Sequence, residues 1–348
     1  MDALALVLVA GKVVVVVMGV LTVVAGLTLA ERKVAAWIQW RHGPNRVGPW
    51  GLFQPVADGI KFFFKEDLIP GHVHKFLYVL APFVMMVPAF AAFAAIPFGP
   101  PITLFGREFT LQIADMSVGF LWIFALTSLG VYGLAVAGWA SNNKYSLFGG
   151  LRSAAQLVSY ELPLGLSVIG VVMIAGTFNL QQIVAFQSGQ YIGFLPSWNV
   201  FVQPLGFLMF VVASLAETNR LPFDLPEAEQ ELVGGYHTEY SSMKFAAFFM
   251  SEYANVITSA ALAVTLFLGG WHFPGVDSLG LSPLLTGLVY VGVFAAKCGL
   301  YLFFVLWTRW TFPRFRYDQL MHLGWKVLLP LGFANIVFTG IYLAVAGV

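Results

Sequence analysis

Glu217-Thr218-Asn219-Arg220-Leu221-Pro222-Phe223-Asp224-Leu225-Pro226-Glu227-Ala228-Glu229-Gln230-Glu231, continued by Leu232 to Tyr240, is an acidic run between two strongly apolar stretches near 200–216 and 246–269. Windows of about twenty mostly apolar residues read as transmembrane helices, so the run is a connection between two spans and the fold is that of a polytopic, all-α membrane protein. It holds five of the ten glutamates of the chain, and the next one, Glu252, falls inside the following span. Carboxylates are expensive near lipid, which makes such a concentration a functional-site hypothesis. The pattern by itself leaves a second reading open, that of a solvated loop between spans.

Composition supports the membrane reading. The chain is 59% hydrophobic with 10% charged residues and a mean hydropathy of +0.81, which excludes an ordinary soluble domain. The net charge of +1 gives no basis for a nucleic-acid role. Cys298 is the single cysteine, too few for an intrachain disulfide, an iron–sulfur cluster or a cysteine zinc site. The six histidines fall in or near connecting segments, and neither a phosphate loop nor a dinucleotide glycine fingerprint is present. The expectation is therefore a chain that binds no metal, redox cofactor or nucleotide of its own.

Eight spans are predicted, near 10–30, 76–97, 117–139, 154–175, 200–216, 246–269, 284–306 and 327–346, with the fifth short. The first is expected to be retained, because Asp2 precedes it and Glu31-Arg32-Lys33 follows where a signal peptide would have small residues. Fifteen basic residues fall in the odd-numbered connections, against Lys12 and Arg107 on the other side, with Lys297 inside a span. That bias places the odd connections on the cytoplasmic or matrix side and both termini on the opposite face. Within the first connection, Gln54 to Glu66 has Val56, Ile60, Phe63 and Phe64 near one helical face and Asp58, Lys61 and Lys65 on another, the pattern of an amphipathic helix at the membrane surface. With no repeat, low-complexity tract or linker, residues 1–348 read as one membrane domain.

The chemistry is that of crowded acids. Glu227 and Glu231 share a face if the segment is helical, and Glu227, Glu229 and Glu231 share a side if it is extended. Two such charges roughly 5–6 Å apart, at an effective dielectric near 20, repel by about 3 kcal/mol, which favours sharing of exchangeable protons. Neutralisation by Arg220 and backbone amides is the competing account. Glu161 lies in the fourth span beside Tyr160 and before Pro163, whose ring frees a backbone carbonyl; Glu217 closes the fifth span, and Glu252 lies in the sixth. Each is open to simple interhelical pairing, while their joint presence around one acidic loop favours a proton path.

Beyond these patterns, Glu31-Arg32-Lys33, Arg41-His42-Gly43-Pro44-Asn45-Arg46-Val47-Gly48-Pro49 and Gln54-Pro55-Val56-Ala57-Asp58-Gly59-Ile60-Lys61 resemble the first signature region of the H-type subunit (subunit 1) family of proton-pumping NADH:quinone oxidoreductase, respiratory complex I. The acidic run resembles the second. Gly138 to Tyr145, Ser159-Tyr160-Glu161 and Pro313 to Leu320 extend the likeness through most of the chain. The resemblance implies an inner-membrane subunit, bacterial or mitochondrial, at the junction of the redox arm and the pumping arm. Its partners would be the hydrophilic quinone-site subunits and the adjacent small membrane subunits. Quinone would be the substrate, and FMN and iron–sulfur clusters would belong to partner subunits. By that likeness Arg32, Arg41, Asp58, Phe223 and Phe249 would line or gate a quinone tunnel. Tyr145, Tyr160, Glu161, Glu217, Arg220, Asp224, Glu227, Glu229, Glu231 and Glu252 would form an acidic route onward. Arg46 adds a basic group where the family commonly has a neutral residue.

Other function classes predict different sequences. A secondary transporter predicts paired inverted repeats with broken helices, and no such pairing is seen. A membrane subunit of an energy-converting hydrogenase would share the architecture without a quinone tunnel, against which the intact first signature and Phe223 argue. A scaffold would not need intramembrane glutamates.

Overall fold

The computed structural model describes residues 3–104, 107–188, 191–192, 195–225, 229–276, 280 and 282–346. The chain is helical almost throughout: α1 (Ala3–Ile38), α2 (Gln54–Phe64), α3 (Lys75–Ala91), α4 (Gly119–Ala140), α5 (Lys144–Ala175), α6 (Leu180–Phe186), α7 (Asn199–Val202), α8 (Pro204–Glu217), α9 (Glu229–Leu232), α10 (Ser242–Phe267), α11 (Pro283–Thr311), α12 (Tyr317–His322) and α13 (Leu329–Ala346). Two small antiparallel hairpins, pairing Ile102 with Phe109 and Tyr191 with Pro196, are the only strands among the described residues.

Seven helices among the described residues are long and apolar enough to cross a membrane: α1, α3, α4, α5, α10, α11 and the continuous stretch from Tyr317 to Val345. The predicted fifth span is broken. Gln203 leaves helical geometry, Pro204 restarts the helix at its first position, and α8 has 14 residues, about 21 Å of rise against a hydrocarbon core of about 30 Å. Several helices also outrun their apolar windows. α5 starts at Lys144 because the Asn143 side chain caps it, accepting from the Tyr145 amide at 3.0 Å. Between α12 and α13 the chain keeps turning through a π segment, Leu323–Leu328.

α10 lies at the centre and α1 at the periphery, since 78% of the apolar window of α10 is buried but only 17% of that of α1. Small residues allow close backbone approach around the acidic run: a β-carbon on Gly149 would stand 2.6 Å from the Gly235 Cα, so α5 and the run touch backbone to backbone. Buried Gln156 then pins the run to α5, its amide donating to the carbonyls of Ala216 and Phe223 at 2.8 Å each. Lys297, predicted inside a span, donates to the carbonyls of Leu268, Gly270 and His272 at 2.6, 3.0 and 2.7 Å. Its charge thereby satisfies the carbonyl end of α10, where a cation is favoured by the helix dipole.

Candidate functional site

α2 carries its apolar and polar residues on different faces as its sequence predicts, and none of its residues is buried. Between α1, α2 and α10 it walls an apolar groove of about 450 Å³, lined by side chains that include Leu21, Val24, Phe62, Phe63, Phe249 and Met250. The polar residues of this groove gather at one place. Arg32 on α1 pairs with Asp58 on α2 at 2.7 Å, and Glu31 and Tyr253 lie beside them. Arg41 and His42 line a separate, more open hollow of about 500 Å³ that also reaches Glu31 and Arg32.

Glu31 is the hub. Its carboxylate is buried and receives the Arg309 guanidinium, the Arg220 guanidinium at 3.5 Å and the Tyr253 hydroxyl, which donates at 2.5 Å. Arg220 also lies 4.3 Å from the centre of the Tyr253 ring, a cation–π arrangement. Removing a carboxylate from water is costly unless it is paired and hydrogen-bonded, and here both conditions are met.

Behind this hub is a pocket of about 130 Å³ that shares Glu31, Phe249 and Tyr253 with the groove and adds Asn219, Arg220, Asp224, Glu252 and Arg309. Asp224 is buried and accepts from Arg314 at 2.9 Å. Glu252 is buried and accepts from the Tyr236 hydroxyl at 2.5 Å. Glu252 and Asn219 in turn line a cavity of about 20 Å³ with Glu217, Thr127 and Asn255, and a second cavity of the same size shares those last three. Cavities of that size have room for about one water each, and carboxylate, amide and hydroxyl groups line part of their walls. Ser128, next to Thr127 on α4, donates to Glu161 on α5. The result is a row of acids, Glu31, Glu252, Glu217 and Glu161, leading from the groove into the helix bundle.

The remaining predicted residues occupy other places. Tyr160 is fully buried, with its hydroxyl donating to the Leu320 carbonyl at 2.8 Å beside the π segment. Phe223 packs between Tyr160 and Phe315, ring centres 5.6 and 5.4 Å away. Tyr145 is exposed at the start of α5 under the Lys144 ammonium. Glu231 is exposed and pairs with Arg152 at 2.7 Å. The Arg220 guanidinium reaches Glu31 at 3.5 Å. Glu227 lies outside the described residues, as does the side chain of Glu229.

Sequence reasoning missed Glu31, Tyr236, Tyr253, Arg309 and Arg314 as site residues. Glu31 and Arg309 are 278 positions apart, and each reads locally as an ordinary charge at the end of a span. The one available signal was that both stand at the same membrane face, a weak constraint on pairing. No group of three or more metal-ligating side chains is found among the described residues.

Residues 11–340 match the family model described as NADH dehydrogenase. The chain is 53% identical over 321 residues to the first H-type subunit of NADH-quinone oxidoreductase from Geobacter metallireducens, covering 92% of each chain. It is 52% identical over 341 residues to the first H-type subunit of the Geobacter sulfurreducens enzyme, covering 95% of this chain and 93% of the relative. To the H-type subunit from Flavobacterium psychrophilum it is 51% identical over 320 residues, 91% of each.

Proposed function

The chain belongs to the H-type subunit family of NADH-quinone oxidoreductase, membrane subunits of respiratory complex I, and we propose that it supplies the quinone-access chamber and the first acids of the proton path of that assembly. The observation that carries this reading is the succession of shared walls. The groove shares Glu31, Phe249 and Tyr253 with the polar pocket, the pocket shares Asn219 and Glu252 with the next cavity, and that cavity shares Thr127, Glu217 and Asn255 with the last. An apolar groove suits a lipid tail, and a line of buried carboxylates suits protons.

In this mechanism the quinone leaves the bilayer along α2 and slides between α1 and α10, its tail against Val24, Phe63 and Met250. Arg32, Asp58 and Arg41 offer polar groups to its headgroup, and Phe249 stands at the inner end of the groove. Reduction of a quinone to a quinol takes two electrons and two protons. The two electrons would come from NADH, relayed by the FMN and iron–sulfur clusters of partner subunits, and the proton demand falls on groups near the headgroup. Glu252, Glu217 and Glu161 answer it by passing protons through their hydroxyl partners Tyr236 and Ser128 and the small cavities between them. A change of proton count on one member biases the next through their mutual repulsion. Glu227, Glu229 and Glu231 add carboxylates to the same proposed proton path. The chain acts as one membrane domain of eight crossings, with α8 as the short one and both termini on the periplasmic side of a bacterial inner membrane.

The test is Glu217→Gln in the assembled enzyme, since Glu217 borders both small cavities. Proton translocation and quinone reductase turnover should fall together by roughly tenfold or more. Full, coupled turnover with correct incorporation would overturn the proposal.

A further inference from the structure

α2 is held at its middle by the Arg32–Asp58 pair and at its C-terminal end by a second fastening that lies outside the groove. The last carbonyls of a helix have no partner inside it and must be satisfied from elsewhere. At the end of α2 the Ser242 hydroxyl reaches the carbonyls of Phe62 and Lys65 at 2.9 and 3.0 Å. Ser242 is the first residue of α10 and is 3% exposed. Its φ of +53° is a left-handed backbone conformation that costs energy for any residue with a β-carbon. Its two neighbours hold the same segment: the Leu68 amide donates to the Ser241 hydroxyl at 3.2 Å, and the Lys244 ammonium pairs with Asp67 at 2.5 Å. The rings of Phe62 and Phe245 pack with centres 6.1 Å apart. Arg32 and Asp58 hold α2 to α1 on the other side of the groove.

The start of α10 is thus a clasp on the wall of the groove, and the same helix carries Phe249, Glu252 and Tyr253 within about 16 Å of Ser242. Loss of the clasp frees the end of α2 without deleting any lining side chain of the groove, because Ser242 is not among them.

We infer that Ser242, supported by the Lys244–Asp67 pair, is a positioning residue that sets the width of the groove by fastening the end of α2 to the start of α10, and so decides how a long-tailed substrate is admitted. The inference rests on the reading of the groove as the quinone entrance.

The experiment uses the whole assembled enzyme with Ser242→Ala and Ser242→Gly, measuring KM and kcat for a quinone with a long isoprenoid tail and for a short-chain analogue. Both variants remove the hydroxyl, and glycine suits the left-handed backbone. The KM for the long-tailed quinone should shift by about two- to tenfold, the equivalent of one net hydrogen bond, with kcat retained and the short-chain KM unchanged. Lys244→Met should shift the same constant less, because Asp67 is half exposed, and it decides the matter if the serine variants fail to assemble. Unchanged constants for both quinones, or a fall in kcat for both with KM fixed, would overturn the inference. Phe249→Ala separates this from the underlying reading. If it shifts the long-tail KM while the Ser242 variants do not, the clasp alone fails; if it too leaves KM unchanged, the entrance reading fails with it.

Discussion

Glu31→Gln removes the charge of the buried carboxylate that Arg220 and Arg309 share. The Glu31 and Arg220 side chains are each 10% exposed and that of Arg309 is 24% exposed, so water screens the cluster poorly. At about 4 Å and an effective dielectric near 20, each arginine–carboxylate attraction is about 4 kcal/mol before desolvation is counted. Removing the carboxylate converts that gain into repulsion between Arg220 and Arg309, and breaking buried pairs of this kind costs about 3–5 kcal/mol. The partial exposure of Arg309 places the expected loss toward the lower end. Adding Arg309→Met to Glu31→Gln should recover about 1–2 kcal/mol, because residues of one charged network are not additive and Arg220 alone can rest on the Tyr253 ring. The assay is heat inactivation of the purified assembly, following quinone reductase activity and retention of this chain for the parent, both single variants and the double. As each 1.36 kcal/mol is tenfold in rate, Glu31→Gln should inactivate up to about a hundredfold faster, with the double variant between it and the parent. A double variant that loses the sum of both single losses, or a Glu31→Gln enzyme within about 0.5 kcal/mol of the parent, would refute the reasoning.

Two further outcomes are expected of the assembled enzyme. Glu161→Gln should impair coupled turnover while Glu161→Asp retains part of it, because an ionisable group stays beside Ser128; proton-pumping assays on reconstituted vesicles decide this, and two normal variants would make Glu161 a packing residue. Asp58→Asn and Arg41→Ala should alter the quinone Michaelis constant and inhibitor sensitivity, with the larger effect from Asp58, which holds Arg32 across the groove. Unchanged constants in both would leave α2 as a surface anchor only.

Much of the architecture was legible because lipid imposes a one-dimensional rule. A span must be apolar over its length and must satisfy its own backbone, so hydropathy alone located the spans, and the period of Val56, Ile60, Phe63 and Phe64 predicted α2. The same rule made Glu161, Glu217 and Glu252 conspicuous, since carboxylates inside spans are rare. Local chemistry escaped it. The extension of α5 back to Lys144 depends on the Asn143 cap, and the break of the fifth span depends on Gln203 and Pro204.

What the sequence determined by itself was the class of the protein, the inventory of its acids and the motifs that mark its family, since each of these is a property of residue type or spacing along the chain. What only the tertiary structure decided was which charges meet. Arg220, within the acidic stretch of the sequence, reaches Glu31, 189 positions earlier, and Arg309 comes to the same carboxylate from the other end of the chain. Tyr160, next to Glu161 in sequence, spends its hydroxyl on the Leu320 carbonyl, whereas Glu252 takes its hydroxyl partner from Tyr236, sixteen positions away in the connection before α10. The physical reason is that a buried charge must find a partner within hydrogen-bond reach, and in a helical bundle that reach is set by which helix faces pack together.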